Sequence, residues 1–376
     1  MSVRLGLAGP VRLACAEDGM RIAFRRREPT PPRAIRAPAR ANRRLLFESL
    51  VTGRLIHSAF APPWWLRGPH LQTLFPNTLR WAPRPAVAWE VFELADGDFV
   101  ELAWSGPEEG PLAVVLHGLG GSWQSPPLRG VSDALSRAGW RVCCFHFRGC
   151  GRSPNRGAIA YHSGMTADPC EVLAALAHRF PDRPRVAIGF SLGGNVLLRL
   201  LGDLGPNAPL DAAVAVSVPF VLARCAERME TGASRLYQAV LLRRLRQYLQ
   251  ARQQRPGPVG PVDAVDAALA ARTFRAFDEG FTAPVHGYSS AEDYYTRASC
   301  RPMLRHIERP TLILHSLDDP FMHPDVVPDE IELSPHVTLE LTEGGGHVGF
   351  VDGPLWRPRY WLDHRIPEWL GARFGG

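Results

Sequence analysis

RVAIGFSLGGN, residues 185–195, is the stretch whose reading decides the fold. RVAIGF is a short unbroken apolar run with β-branched Val186 and Ile188, the pattern of a strand buried on both faces. From Ser191 to about Leu204 the apolar residues recur at helical spacing. Strand therefore passes to helix within one residue, and that turn is tight enough to need small neighbours. Gly189 and Gly193 supply them on either side of Ser191. A serine so placed stands at the end of a strand beside the backbone N–H groups of a helix N-terminus. It is a candidate nucleophile in G-x-S-x-G; the bland alternative is a glycine-rich turn whose serine only caps the helix.

Working outward, the same alternation repeats. PLAVVLHG (111–118), RVCCFHF (141–147) and AAVAVSV (212–218) read as buried strands, with helices over 126–138 and 166–180 between them. TLILHS (311–316) and HVTLEL (336–341) continue the series, and a last helix falls near 360–372. VAWEVFELADGDFVELAWSG predicts a β-hairpin over about 87–104 around its DGD turn. Buried strands alternating with helices predict an α/β fold: a mostly parallel central sheet with helices on both faces. Residues 220–300 interrupt the alternation with helical, arginine-studded sequence, predicting a helical cap insertion over the strand ends. Within it, Leu236, Val240, Leu245 and Leu249 are expected on the side opposite the arginines. Residues 60–80, rich in aromatics and proline, are expected to be irregular.

A serine hydroxyl needs an adjacent base, and the base needs an orienting carboxylate. The chain order Ser, Asp, His predicts an acid after a late strand and a histidine near the C-terminus. Leu317-Asp318-Asp319-Pro320 follows one strand and Gly346-His347-Val348-Gly349 the next. His347 is the expected base; His315, His323 and His336 lie in or beside strands and read as structural. Asp319, directly before Pro320, is favoured as the acid, with Asp318 the open alternative. His117-Gly118-Leu119-Gly120-Gly121 follows an earlier strand, where a second oxyanion donor is required, so the backbone N–H groups of Leu119 and Leu192 are assigned to that hole. His117 is read as shaping this loop. The string from His347 to Asp352 also fits H-x-x-x-x-D, read as incidental. No cofactor or metal is implied.

Composition bounds the rest. At 45% hydrophobic and 21% charged, the 376 residues match a globular chain. No apolar run reaches the 18 residues of a membrane span. Seven scattered cysteines without a C-x-x-C pair argue against a disulfide framework or a zinc site and suggest reduced thiols in a cytoplasmic protein. Every basic residue is arginine. Residues 1–45 hold 11 Arg against Glu17, Asp18 and Glu28, a balance of +8 that leaves about −2 for the remainder. The high isoelectric point thus belongs to a tail, and the near-neutral body argues against nucleic acid as a partner. Residues 1–59 are read as a basic extension expected to be disordered, or as the product of a start codon placed too far upstream. Residues 60–376 are read as the folded domain, with the cap over about 220–300.

Taken together, PHLQTLFP (69–76), HGLGGS (117–122), FRGCGRSPNR (147–156), YHSG (161–164), GFSLGGN (189–195), GYSSAEDYYTRAS (287–299), DDPF (318–321) and GGGHVGF (344–350) resemble the YheT-like branch of the α/β-hydrolases. The resemblance covers about residues 60–372. It implies the α/β-hydrolase fold, a triad of Ser191, Asp319 and His347, and hydrolysis of carboxylic esters, with lipid or other acyl esters as the substrate class. Two other readings stay open: an acyltransferase using the same acyl-enzyme, and a non-catalytic binding protein on this fold. Arg148 and Asn155 either contact substrate or scaffold a loop, while His70 and Gln72 are expected to tie down the N-terminal segment. Peripheral membrane contact through the cap or the N-terminal arm is a further open partner, as is the oligomeric state.

Overall fold

The computed structural model describes residues 52–80, 86–255 and 257–375. Its main strands are β1 (Arg54–His57), β2 (Ala88–Glu93), β3 (Phe99–Ser105), β4 (Leu112–Leu116), β5 (Arg141–His146), β6 (Arg185–Phe190), β7 (Ala212–Val216), β8 (Thr311–Ser316) and β9 (Val337–Thr342). They form one sheet in the order β1-β9-β8-β7-β6-β4-β5-β3-β2. All pairs from β1 through β5 are parallel, and β3 runs against both β5 and β2. The expected hairpin is the β2–β3 pair.

Helices α1 (Pro69–Thr78), α2 (Pro126–Arg137), α3 (Ala167–Arg179) and α4 (Leu192–Leu204) precede β7. Alternate residues of each strand enter opposite cores, as a pleated strand requires. Leu112, Val114 and Leu116 of β4 pack with α3 and α4, whereas Ala113 and Val115 pack with α2 and the C-terminal helix. Between β7 and β8 lie α5 (Leu222–Met229), α6 (Ser234–Gln253), α7 (Val262–Ala270), a helical stretch over 274–285 and α8 (Ala291–Ala298). This is the expected cap, and Leu242, Leu245, Leu249 and Phe277 join its interior to the main core. Helix α9 (Leu362–Phe374) closes the chain.

Two features depart from the sequence reading. Residues 69–78, expected to be irregular, form α1; Pro69 stands in its first turn, where a missing N–H costs nothing. The folded body also starts earlier than residue 60, because β1 pairs in parallel with β9, Leu55 opposite Leu339. A four-residue edge strand bonds through its backbone, so its side chains carry no clear alternation for pattern reading to catch. Residues 1–51, most of the proposed extension, lie outside the described residues.

The Arg148 loop ties the hairpin to the sheet. The buried Arg148 guanidinium donates to both carboxylate oxygens of Asp168 on α3, each at 2.7 Å, and to Asp96 at 2.7 Å and Asp98 at 3.3 Å in the β2–β3 turn. Asn155 donates to Asp98 at 2.9 Å and to the Ile159 carbonyl at 2.9 Å, and accepts from the Tyr248 hydroxyl at 2.9 Å. Both side chains are scaffold. Removing the cation leaves buried carboxylates uncompensated. Arg148→Ala is therefore expected to lower unfolding free energy by about 3–5 kcal/mol, read from urea denaturation.

Candidate active site

The sheet order brings the candidate residues together. β4 and β6 are neighbours, Leu116 opposite Gly189, so the loop after β4 and the turn after β6 emerge side by side. Parallel sheets form crevices where the strand order reverses, beyond the carboxyl ends of the strands. Here β4 lies between β5 and β6, and the crevice opens above it.

Ser191 adopts φ 51° and ψ −118°, a conformation costly for a residue with a Cβ. Close packing enforces it. A Cβ on Gly193 would lie 2.6 Å from the Leu116 carbonyl oxygen, and one on Gly189 2.5 Å from that of Gly193. The Ser191 amide donates to the Val216 carbonyl at 2.8 Å, which fastens the turn to β7. Leu192 opens α4, and the amides of a first helical turn have no intrahelical acceptor. Across the crevice, the loop after β4 is fixed by Gly121 donating to the Gly118 carbonyl at 3.0 Å and Gly120 donating to the Tyr161 hydroxyl at 2.9 Å. Leu119 and Leu192 both line the cavity that reaches Ser191.

His117 is fully buried beneath that loop. Its Nδ1 lies 2.7 Å from the Gly118 carbonyl and its Nε2 accepts from the Phe147 amide at 3.2 Å. Burial, with His146 nearby, pushes its pKa down to about 3, so the ring is neutral and shapes the loop.

The loop after β9 carries His347. Its Nε2 lies 3.0 Å from Ser191 Oγ and its Nδ1 2.8 Å from the Asp319 carboxylate, which is almost wholly buried. Asp318 turns elsewhere, accepting from the Ser316 hydroxyl at 2.6 Å and the Gly346 amide at 2.8 Å. Asp352, the far end of the H-x-x-x-x-D string, pairs instead with Arg359 at 2.9 Å.

The loop bearing His347 is strained, with Val348 at φ 57° and Phe350 at φ 49°. Three consecutive amides are held by side chains from three elements: Gly346 by Asp318, His347 by Thr73 Oγ1 of α1 at 2.9 Å, and Val348 by Ser217 Oγ after β7 at 3.0 Å. Phe321 stacks on the imidazole, centroids 3.9 Å apart and planes within 9°. Thr73, Ser217 and Phe321 were not singled out from the sequence. Thr73 and Phe321 lie inside the matched strings 69–76 and 318–321, and Ser217 near the end of the run 212–218, but residue type alone gives none of them a role there. His70 and Gln72 do tie α1 down: Gln72 bonds the Leu66 carbonyl and both backbone groups of Val351, and His70 meets Tyr237 at 3.1 Å.

Two cavities meet at Ser191. One runs under the cap and is walled by Leu222, Met229, Leu245, Phe277 and Met322. The other, a wider cleft, passes Thr73, Asn77, Ser122, Gln124 and Arg244. Leu119, Leu241, Phe321 and His347 border both.

A family model for the alpha/beta hydrolase fold matches residues 111–354. The chain belongs to the α/β-hydrolase family. Among relatives of this hydrolase, YheT of Escherichia coli (strain K12), whose name proposes an esterase, is 45% identical over 305 residues, spanning 80% of this chain and 89% of that one. Monoacylglycerol lipase of Saccharomyces cerevisiae is 34% identical over 247 residues, 64% of this chain and 55% of that one. The fold is also that of the Pyrococcus furiosus esterase Pf2001, with a TM-score of 0.52 and 18% identity over 85% of this chain and 97% of that one. The α/β hydrolase described here is a carboxylic-ester hydrolase of esterase/lipase type.

One titratable group in the cap cavity has no place in the Ser191 contacts. Asp278 accepts from Thr282 Oγ1 at 2.6 Å and the Tyr295 hydroxyl at 2.8 Å, and burial pushes its carboxyl up to about 6. A folded-state value above the unfolded one means that the native state binds the proton more tightly. The resulting stability is present below the unfolded value near 4 and is lost as pH rises through about 6. Asp278→Asn lacks this loss. Between pH 4 and 7 its stability relative to wild type is expected to improve by about 1–3 kcal/mol in urea titrations, whereas a flat difference would refute the raised carboxyl.

Proposed function

We propose that this hydrolase is a serine esterase in which Ser191 is the nucleophile, His347 the base and Asp319 the orienting acid. One chain of contacts carries the reading: the His347 imidazole lies within hydrogen-bond reach of Ser191 Oγ through one nitrogen and of the Asp319 carboxylate through the other. That arrangement fixes the tautomer, with Nδ1–H donating to Asp319 and Nε2 free to accept a proton.

As Oγ attacks the ester carbonyl carbon, its proton passes to Nε2 and the carbonyl electron pair moves onto oxygen. The amides of Leu119 and Leu192 hold that oxyanion, assisted by the positive end of α4. Collapse breaks the bond to the alcohol, which leaves with the proton from Nε2 and an acyl group on Ser191. Water then repeats the sequence, giving up its proton to Nε2 and releasing the acid. Because the wider cleft reaches the exposed Asn77 and Thr78, water has access for the second step, which favours hydrolysis over acyl transfer.

The apolar cavity under the cap takes the acyl chain, and the more polar cleft takes the alcohol. The yeast relative named monoacylglycerol lipase supports lipid esters as the substrate class.

Ser191→Ala is expected to abolish labelling by a fluorophosphonate probe; persistent labelling would remove Ser191 as nucleophile. Asp319→Asn should lower kcat by about 10³–10⁴-fold, while Asp318→Asn, which touches only the loop, should lower it less than about tenfold. The reverse order would exchange the two acids. Across p-nitrophenyl esters from acetate upward, kcat/KM should rise by up to about fourfold per added methylene until the cap cavity is full. A series without such a rise would remove the cavity as the acyl site.

A further inference from the structure

The mouth of the wider cleft lies between α1 and the cap helix α6, with Leu74 and Val240 on its two sides. The helices touch through His70 and Tyr237, whose rings stack at 5.8 Å. Beside that contact each helix turns large apolar side chains outward. Leu71 and Leu74, one turn apart on α1, are 52% and 46% exposed; Leu236 and Val240, one turn apart on α6, are 72% and 54% exposed. Trp64 and Leu79, flanking α1, are exposed as well.

This overturns the expectation that Leu236 and Val240 lie with Leu245 and Leu249 on the side opposite the arginines. Nine residues are about two and a half helical turns, so Leu236 stands opposite Leu245, and Val240 opposite Leu249. The buried stripe of α6 is instead Ser234, Gln238, Leu242, Leu245, Leu249 and Arg252. The outward leucines and valine therefore lie on the same side as exposed Arg235, Arg243 and Arg244, with Arg67 exposed just before α1.

The charge around the mouth has one sign. Residues 73–78, 118–128 and 237–244, which line it together with Phe190, Ser191, Phe321, His347 and Val348, include no Asp or Glu. Apolar side chains interspersed with arginines, whose stems lie along apolar matter while their heads stay in polar surroundings, suit the boundary between acyl chains and anionic head groups. Among the described residues no helix is long and apolar enough to cross a membrane, so such contact would be peripheral.

We propose that the face formed by α1 and α6 seats the enzyme on an anionic lipid surface with the cleft to Ser191 facing the lipid. The orientation rests on the esterase reading; the binding does not.

The test is sedimentation of the full-chain protein with vesicles of phosphatidylcholine alone or mixed equally with phosphatidylglycerol, at low and high salt. The wild type should bind the mixed vesicles, more weakly at high salt. Leu71→Glu with Leu236→Glu, and separately Arg235→Glu with Arg243→Glu, should each lower the partition coefficient at least about tenfold. Both variants should hydrolyse a short water-soluble ester as the wild type does, so a failure of the esterase reading would show there and not in sedimentation. Three results would overturn the proposal: no binding by the wild type; face variants that bind like the wild type, which would assign binding to the arginines of residues 1–45; or a wild-type dimer that the variants convert to monomer, which would assign the face to a second copy.

Discussion

Everything at the site hangs on how closely the turn at Ser191 packs against the end of β4. The backbone at Gly193 approaches the carbonyl oxygens of Leu116 and His117 so nearly that a Cβ would lie 2.6 and 2.7 Å from them. That contact holds Ser191 at positive φ and lifts its hydroxyl clear of the sheet. It also brings the start of α4 beside the loop after β4, where Gly118 would place a Cβ 3.2 Å from that of Ser191. Two sets of backbone amides thus converge on one point because two glycine-rich segments pack backbone to backbone.

The histidine is positioned by a different device. Its loop spends conformational energy at Val348 and Phe350, and such strain persists only when surroundings over-determine it. Here the surroundings are oxygens of Asp318, Thr73 and Ser217, one from each of three separate segments. Asp318 and Asp319 are adjacent yet divide the work: one holds the loop, the other meets the imidazole. Asn195, fully buried in α4, does similar service for the cap by donating to the carbonyls of Ser163 and Ala298 and accepting from the Cys300 amide. The far end of the cap insertion is thereby locked to the helix that begins beside Ser191.

The cap has two faces with different chemistry. Inward, α6 contributes Leu242, Leu245 and Leu249 to the core next to the cavity that reaches Ser191. Outward, it shows leucine, valine and arginine to solvent with no carboxylate among them. The arginines that do point inward are spent on backbone: Arg252 donates to the carbonyls of Gly157 and Pro258 at 2.7 and 2.6 Å. An all-arginine basic complement suits both uses, since the guanidinium presents several donors in a rigid fork and stays charged when buried.

By itself the sequence determined the strand–helix alternation of a mostly parallel sheet, a helical insertion within it, and the tight glycine-flanked turn at Ser191. These are local properties: hydrophobic period, glycine at positions that admit no Cβ, and residue type beside a strand end. Only tertiary structure decided which of Asp318 and Asp319 meets His347, because neighbouring residues on one loop point in different directions that no pattern encodes. It also decided that Thr73 and Ser217 hold the His347 loop, which depends on segments more than a hundred residues apart, and that β1 joins the sheet, a strand recognised by backbone bonding and not by its side chains. The exposed side of α6 is an intermediate case: helical period already set Leu236 opposite Leu245, but only the packing of the cap shows which of the two faces the core.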